Sequence, residues 1–181
     1  MKKIIRFIER IVFHGTKILI SPLEFFVPRV YMTAYCMLLR RLGLKMTGKP
    51  RYISTRAKFD DFELVTLGDR TVVSMYVNFL THDYSITTAL IANGLQPPTD
   101  IAVRQPITVG NNVFIGMNVM ILPGTTIGDN VIIGGGSVVR GNIPSDSIFV
   151  GNPATQVGRL TENPERWQRR LKGEGVSFDK F

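Results

Sequence analysis

The sequence of 181 residues predicts an all-β fold, a parallel β-helix built from six-residue repeats. Seven aliphatic residues recur at intervals of six, namely Val103, Val109, Ile115, Ile121, Ile127, Ile133 and Val139. A glycine directly follows four of them, at Gly110, Gly116, Gly128 and Gly134. The fifth place of most repeats holds a small or branched residue that tolerates a tight interior. A period of six fits short strands joined by sharp corners, three sides to a coil, so that the coils stack into a triangular prism.

The same pattern predicts which side chains stack inside the prism. Residues eighteen apart should lie on one another, as in the pairs Val103 and Ile121, Val109 and Ile127, Ile115 and Ile133, and Ile121 and Val139. Neighbouring coils should run parallel, about 4.8 Å apart. A weaker copy precedes them, with Ile53 and Phe59 in one phase and then, after a slip of two residues, Leu67, Val73 and Phe79 in another. The prism is therefore expected to have about four coils.

This interpretation divides the chain into three regions. Residues 51–158 form the prism, interrupted by an inserted loop at 83–102, where the period of six disappears. Residues 1–50 are expected to form a basic, amphipathic helical segment, and residues 159–181 a short helix and tail. In the tail, Asn163 can cap a helix that Gly173 ends. Trp167 is expected to cover the open end of the prism and to protect its last strand from edge pairing.

The net charge of +8 is concentrated at the start of the chain. Residues 1–58 carry 13 of the 22 basic residues and only two acids, whereas the remainder is mildly acidic. No recognised nucleic-acid motif accompanies this charge, so nucleic acid is not an expected partner. Within residues 1–58, no uncharged stretch reaches the roughly 18 residues of a spanning helix, and no small-residue cleavage site follows. Two interpretations remain open: helices packed on the body or a neighbouring subunit, or peripheral contact with an anionic membrane.

The composition also excludes several kinds of metal site. Cys36 is the single cysteine, so an intramolecular disulfide and a cysteine-based zinc site are excluded. His14 and His82 are the only histidines, so one chain cannot supply a three-histidine metal centre. No metal is therefore expected, and a reducing, cytoplasmic compartment is favoured.

Two runs of sequence resemble a known family. They are ITVGNNVFIGMNVMILPGTTIGDNVIIGGGSVV (Ile107 to Val139) and IPSDSIFVGNPA (Ile143 to Ala154). They resemble the hexapeptide-repeat acyltransferases, in particular sugar and polysaccharide O-acetyltransferases such as the colanic acid, maltose and galactoside enzymes. The resemblance implies a left-handed β-helix, although general chirality rules favour right-handed crossovers. It also implies acetyl-CoA as co-substrate and a homotrimer whose active clefts lie between two prisms.

His82 is the candidate catalytic residue. A lone histidine is more often a packing residue, but this one stands at the mouth of the inserted loop, where a rigid scaffold tends to hold catalytic side chains. Its segment THDYS (Thr81 to Ser85) also resembles the catalytic-histidine segment of hexapeptide O-acetyltransferases. A sugar hydroxyl attacks a thioester slowly unless its proton is removed, and imidazole is suited to that task near neutral pH.

Asn78 and Asp83 are the candidate substrate-binding residues. Asn78 lies on the coil just before the histidine and could contact the acceptor or the pantetheine arm. Asp83 could orient the imidazole, or it could be a solvated loop acid, which is the more common fate of a side chain adjacent in sequence.

The resemblance implies the acetyl-CoA contacts by their place in the motif. They fall on Met117, Gly135, Arg140, Gly141, Thr155 and Arg159. The sequence departs from the family at Arg140-Gly141, where a threonine-lysine pair is common. Arg140 can still meet a phosphate, or it can be an exposed corner arginine.

The function expected is that of an acetyl-CoA-dependent O-acetyltransferase acting on a sugar hydroxyl in surface-polysaccharide assembly, at the inner face of the membrane. Within the same class, an N-acyltransferase of an amino sugar, or a drug or serine acetyltransferase, remains open. A β-helix used only for assembly or binding is a different class. A metal-dependent carbonic anhydrase of the same fold is disfavoured, because His82 is the only histidine on the predicted prism.

Overall fold

The structure is a computed structural model that describes residues 13, 15–173 and 175–177. Residues 15–20 are helical, and the helices that follow are α1 (Leu23–Phe26), α2 (Pro28–Arg41), α3 (Ser85–Ala92) and α4 (Pro164–Leu171). The strands are β1 (Lys45–Met46), β2 (Tyr52–Ile53), β3 (Lys58–Phe59), β4 (Val65–Leu67), β5 (Val72–Val73), β6 (Asn78–Phe79), β7 (His82–Asp83), β8 (Val103–Arg104), β9 (Ile107–Val109), β10 (Val113–Ile115), β11 (Met120–Ile121), β12 (Thr126–Ile127), β13 (Val131–Ile133), β14 (Val138–Val139), β15 (Asn142–Ile143), β16 (Ser147–Gly151) and β17 (Ala154–Gly158).

All of these strands except β7 and β8 form the three sides of a parallel β-helix, the prism. The first sheet has the order β1-β4-β9-β12-β15, the second β2-β5-β10-β13-β16-β17, and the third β3-β6-β11-β14. Every pairing within them is parallel except that of β16 with β17. The chain visits the three sheets in turn, so each circuit adds one coil.

The predicted stacking is confirmed in the strong repeats. Ile127 pairs with Val109, Ile115 with Ile133, and Ile121 with Val139. The weaker coils also lie as predicted, because Leu67, Val73 and Phe79 pair with Val109, Ile115 and Ile121. These side chains are buried and form one continuous core along the prism axis, each contributing on the order of 1.5–3 kcal/mol.

Two boundaries differ from the prediction. The prediction that Val103 stacks on Ile121 is wrong, because Val103 lies outside the prism on β8, opposite Asp83 of β7. The prism also begins before residue 51, since Lys45–Met46 pairs with β4 and adds a strand to the first sheet. The period of six does not reach this strand, because Met46 precedes Ile53 by seven residues.

The insertion between β6 and β9 contains regular secondary structure. Strands β7 and β8 pair antiparallel at its base. The predicted loop 83–102 contains the eight-residue helix α3. Its returning end is tied to the helix, because the backbone N–H of Ile101 donates to the Thr87 hydroxyl at 2.8 Å.

The N-terminal helices close the first end of the prism. Tyr31, Tyr35 and Leu39 of α2 are fully buried, and the Tyr31 hydroxyl donates to the carbonyl of Ile53 at 2.5 Å. The described part of the segment therefore packs on its own body, and residues 1–12 and 14 of the predicted helical segment lie outside the described residues. No helix among the described residues is long and apolar enough to cross a membrane.

The C-terminal residues cover the other end. The predicted helix is present as α4, and the Asn163 side chain caps it by accepting from the Arg166 N–H at 3.0 Å. The last parallel strand is protected by β17, not by Trp167 as predicted. The Trp167 indole instead donates to the Leu160 carbonyl at 2.9 Å.

Candidate active site

His82 lies at the corner of the prism from which the insertion emerges. The third sheet ends locally at Phe79, and the first sheet resumes at Ile107. His82 pairs with Arg104 across the base of the insertion, and the Gln105 N–H donates to the Thr81 carbonyl at 2.9 Å. The insertion thus leaves and returns at one place, which holds the imidazole at its mouth with a side chain 26% exposed.

The imidazole is oriented by Asp61, a residue of the preceding coil. Nδ1 of His82 lies 3.2 Å from Oδ2 of Asp61, and the Thr81 hydroxyl donates to the same oxygen at 2.7 Å. An ionised carboxylate can only accept hydrogen bonds, so Nδ1 carries the proton in the neutral ring. Nε2 is then left as the acceptor, which is the state that a general base requires.

Other charged groups surround this pair. Oδ2 of Asp60 lies 3.8 Å from Nδ1, and Nε of Arg104 lies 3.8 Å from Oδ2 of Asp61. The ring of Tyr84 meets the imidazole edge-on, with centroids 5.9 Å apart. The imidazole therefore stands beside two carboxylates, and the half-exposed Arg104 lies near that of Asp61.

Asp83 does not orient the histidine. Its carboxylate accepts from the hydroxyl of Ser85 at 2.6 Å and from the Ser85 N–H at 2.9 Å. These hydrogen bonds, the hydroxyl's first, lower the pKa of Asp83 below its ordinary value. Asp83 therefore fixes the start of α3, and the orienting role considered for it belongs to Asp61. Contact between Asp83 and the substrate stays a prediction.

Asn78 faces outward on the third sheet. Its side-chain amide donates to the carbonyl of Tyr76 at 2.9 Å, and it lies in register between Lys58 and Met120. It is one corner turn before His82, so an acceptor role is compatible with its place and stays a prediction.

The residues predicted to contact acetyl-CoA lie at separate places on one chain. Met117 and Gly135 stack at the corner between the second and third sheets, where the Gly136 N–H donates to the Met117 carbonyl at 2.8 Å. Arg140 and Gly141 follow β14 at the corner between the third and first sheets. This second corner is the one that carries His82, two coils earlier.

The last two predicted contacts lie near the C-terminal end. Thr155 pairs with Val150 in the β16–β17 hairpin. Arg159 lines a cavity of about 270 Å³ together with Glu162, Arg166 and Trp167. A single chain thus divides the six residues among two corners and one end of the prism.

Metal ligation has no matching cluster in this part of the molecule. Within the described ranges, no three His, Cys, Asp or Glu side chains are grouped so that they could hold a metal ion. The contact of His82 with Asp61 equips the corner for proton transfer at an oriented imidazole.

Three residues of the corner escaped the sequence analysis: Asp61, Thr81 and Arg104. Asp61 and Arg104 are distant from His82 in sequence and reach it through coil stacking and the insertion's return. The signal for Asp61 was available, because Ile53 and Phe59 precede their partners Val73 and Phe79 by twenty residues. The same offset places Asp61 beneath Thr81.

Comparisons with known proteins agree with the resemblance that the six-residue repeats indicate. Residues 106–141 match the bacterial transferase hexapeptide (six repeats) family. The galactoside O-acetyltransferase of Escherichia coli (strain K12) is 32% identical over 120 residues, which are 66% of this chain and 56% of that protein. The chain thus spans little more than half the length of this curated relative.

Solved structures are similar over most of the chain. A maltose O-acetyltransferase from Clostridium difficile 630 superposes with a TM-score of 0.60 and 28% identity, covering 85% of this chain and 87% of that one. A galactoside acetyltransferase in complex with coenzyme A gives a TM-score of 0.55 and 25% identity, covering 80% and 76%. The resemblance to the hexapeptide-repeat acyltransferase family is therefore confirmed.

Proposed function

We propose that this chain is an acetyl-CoA-dependent O-acetyltransferase that acts on a sugar hydroxyl, with His82 as the general base. The observation that carries the proposal is the contact of Nδ1 with Asp61, which leaves Nε2 free to accept a proton. The chain is similar to sugar O-acetyltransferases, which supports acetyl as the transferred group and a sugar as the acceptor. We place the reaction in the cytoplasm and the sugar in a surface polysaccharide or its precursor.

The proton transfers balance on one imidazole. As the hydroxyl oxygen bonds to the thioester carbonyl carbon, Nε2 takes the hydroxyl proton. When the C–S bond breaks, the imidazolium returns that proton to the departing thiolate of CoA. Asp61 stabilises the imidazolium between the two steps. General base catalysis of this kind contributes about 10²–10⁴ in rate, and fixing both substrates in one cleft contributes further.

The separate places of the predicted acetyl-CoA contacts support a site shared by two copies. Met117 and Gly135 lie at one corner, and Arg140 with Gly141 at another, so two prisms side by side can present both corners to one groove. We therefore propose a homotrimer in which each acetyl-CoA contacts two chains. The left-handed sense of the prism, which the family resemblance implies, belongs to the same proposal.

The outward faces of the prism support subunit contact through the second sheet. Its outward row is apolar across five strands, with Tyr52, Val72, Phe114, Ile132 and Ile148 in register. The equivalent row of the first sheet is polar, with Lys45, Thr66, Thr108, Thr126 and Asn142 in register. An apolar row on one face of a sheet prism suits burial against another chain.

A thiol-release assay tests the activity. The full chain is incubated with acetyl-CoA and a panel of galactosides, maltosides and polysaccharide fragments, with glucosamine and serine as amine-bearing competitors. We expect free CoA to appear with the galactosides, maltosides or polysaccharide fragments, each product to be an ester when analysed by NMR, and His82→Ala to lower the rate at least about 10²-fold. Amide products alone would make the chain an N-acyltransferase, and no release with any acceptor would favour a binding or assembly module.

A further inference from the structure

Helix α2 has two apolar faces, and the prism covers only one of them. Tyr31, Tyr35 and Leu39 are buried against the first coil. Val30 and Met37, which lie seven residues apart on the opposite face, are exposed, Met37 by 60%. An amphipathic helix of a globular protein normally places polar residues on this outer face.

The preceding turns extend the exposed apolar surface. Phe25 and Phe26 of α1 are 75% and 83% exposed, and Ile18 and Leu19 are exposed to a similar degree. These four side chains, together with Val30 and Met37, define what we call the head surface. Large apolar side chains concentrated in this way mark a contact with a partner or a membrane.

The charges on the same segment are basic. Arg29, Arg40 and Arg41 are exposed on α2. The only acid in residues 15–43 is Glu24, and it is turned towards the prism. Its carboxylate accepts hydrogen bonds from the hydroxyls of Tyr52 and Thr55. The head surface is therefore apolar with a cationic rim.

We propose that the head surface docks on an anionic lipid bilayer, with Phe25 and Phe26 in the headgroup region and the arginines on lipid phosphates. Apolar side chains combined with arginines and lysines are the features of helices that lie in a membrane interface. The charge argues for a lipid partner over a second copy of the chain, because two copies packed through this face would oppose their arginines.

Docking through the head surface would set the distance between the candidate active site and the membrane. The N-terminal segment that bears the head surface contacts the coil of Asp61, because the ring of Phe13 packs edge-on against that of Phe62, with centroids 5.3 Å apart. His82 belongs to the next coil. One helix diameter of about 10 Å and one coil step of about 4.8 Å then separate its corner from the lipid headgroups. The membrane contact is independent of the proposed function, but an acceptor carried on a lipid would lie within reach of this corner.

Co-sedimentation of the full chain with vesicles tests the proposal. One set of vesicles contains phosphatidylglycerol and phosphatidylcholine in equal amounts, and the other phosphatidylcholine alone. We expect binding to the first set, and at least a tenfold weaker partition for Phe25→Ser/Phe26→Ser. Arg29→Gln and Arg41→Gln should each weaken it about fivefold.

Matched variants at the far end of the prism serve as controls. Val157→Ser/Leu171→Ser removes two exposed apolar side chains there, and Arg169→Gln removes one exposed charge. Both should bind vesicles like the unaltered chain, and circular dichroism checks that every variant is folded. Absent binding by the unaltered chain, or equal losses in the controls, overturns the proposal. So does equal binding to uncharged vesicles, or a head variant that changes only the oligomeric state.

Discussion

At the scale of single residues, the candidate site depends on which aspartate faces the imidazole. Asp83 is adjacent to His82 in sequence, yet its carboxylate is held by Ser85. Asp61 is distant in sequence, yet its Oδ2 lies 3.2 Å from Nδ1. Alternation along a strand points neighbouring side chains to opposite sides, whereas stacking of coils brings corresponding corners together.

We therefore expect Asp61→Asn to lower kcat by about 10²-fold. The asparagine amide can donate to Nδ1, which favours the ring tautomer with its proton on Nε2 and removes the base. Asp83→Asn should lower kcat far less, and Asp100→Asn, at an exposed position of the insertion, controls for loss of charge. Rates of CoA release at saturating acceptor measure all three variants. Equal losses in Asp61→Asn and Asp83→Asn would contradict the assignment.

The site could be predicted from the sequence only where its signal is local. THDYS identifies His82 because the segment itself resembles a catalytic one. Asp61 carries no local signal, since its role comes from an offset of twenty residues between two weakly patterned coils. Finding it requires the register of those coils, which depends on where each corner slips.

At the scale of elements, the corners fix how closely coils can approach. Gly110 follows Val109 and lies over Gly128 of the next coil. A Cβ at Gly110 would lie 2.7 Å from the Gly128 carbonyl oxygen, which is backbone and cannot move aside cheaply. Glycine is required here by the close approach of two coils of the same chain.

Gly110→Ala is accordingly expected to lower the free energy of unfolding by about 1–3 kcal/mol. Gly158→Ala is the matched control, because nothing lies within 4 Å of its added Cβ. Both variants share the gain from a stiffer unfolded chain, so the difference between them isolates the clash. Urea denaturation measures that difference, and equal midpoints would show that the coils can separate without cost.

The contact between α1 and the prism gives a pH dependence. Burial, followed by the hydrogen bond to Glu24, raises the pKa of Tyr52 to about 12. The unfolded tyrosine ionises near 10, so above that pH the unfolded state loses a proton that the folded state keeps. The stability that protonated Tyr52 contributes is therefore fully present below about pH 10 and is lost as the pH rises towards 12.

Thermal unfolding at pH 9 and pH 11 measures this loss. Tyr52→Phe is expected to reduce the fall in Tm between the two pH values, because the phenylalanine has no proton to lose. Tyr84→Phe, which alters an exposed tyrosine, should leave the fall unchanged. A fall that is the same in all three proteins would exclude Tyr52 as its source.

The elements that the sequence predicted are those with a strong repeat. The coils from Ile107 to Val139 follow the pattern, but the phase also continued misleadingly to Val103. Phe79 and Ile121, which pair, lie 42 residues apart, a multiple of six, so the insertion leaves the phase unbroken. Strand β1 and helix α3 lack a periodic signal, and tertiary contacts define them.

At the scale of the whole molecule, the two ends and the three faces differ in character. The first end of the prism bears the head surface with its cationic rim, and the second sheet bears the apolar row. The polar first sheet meets the third at the corner of His82. The head surface does not overlap the other two, so membrane docking can be disrupted without altering subunit contact or catalysis.

Phe114→Lys is expected to convert the proposed trimer into monomers, because it places a charge in the centre of the apolar row, where Phe114 is 42% exposed. Thr108→Lys, the same new residue at the matching place on the polar first sheet, should leave the trimer intact. Light scattering after size-exclusion chromatography measures the mass of each variant. The monomers should also release CoA more slowly, because each proposed groove needs two chains. A monomeric Phe114→Lys with full activity would contradict the shared site, and a trimeric one would move the contact to another face.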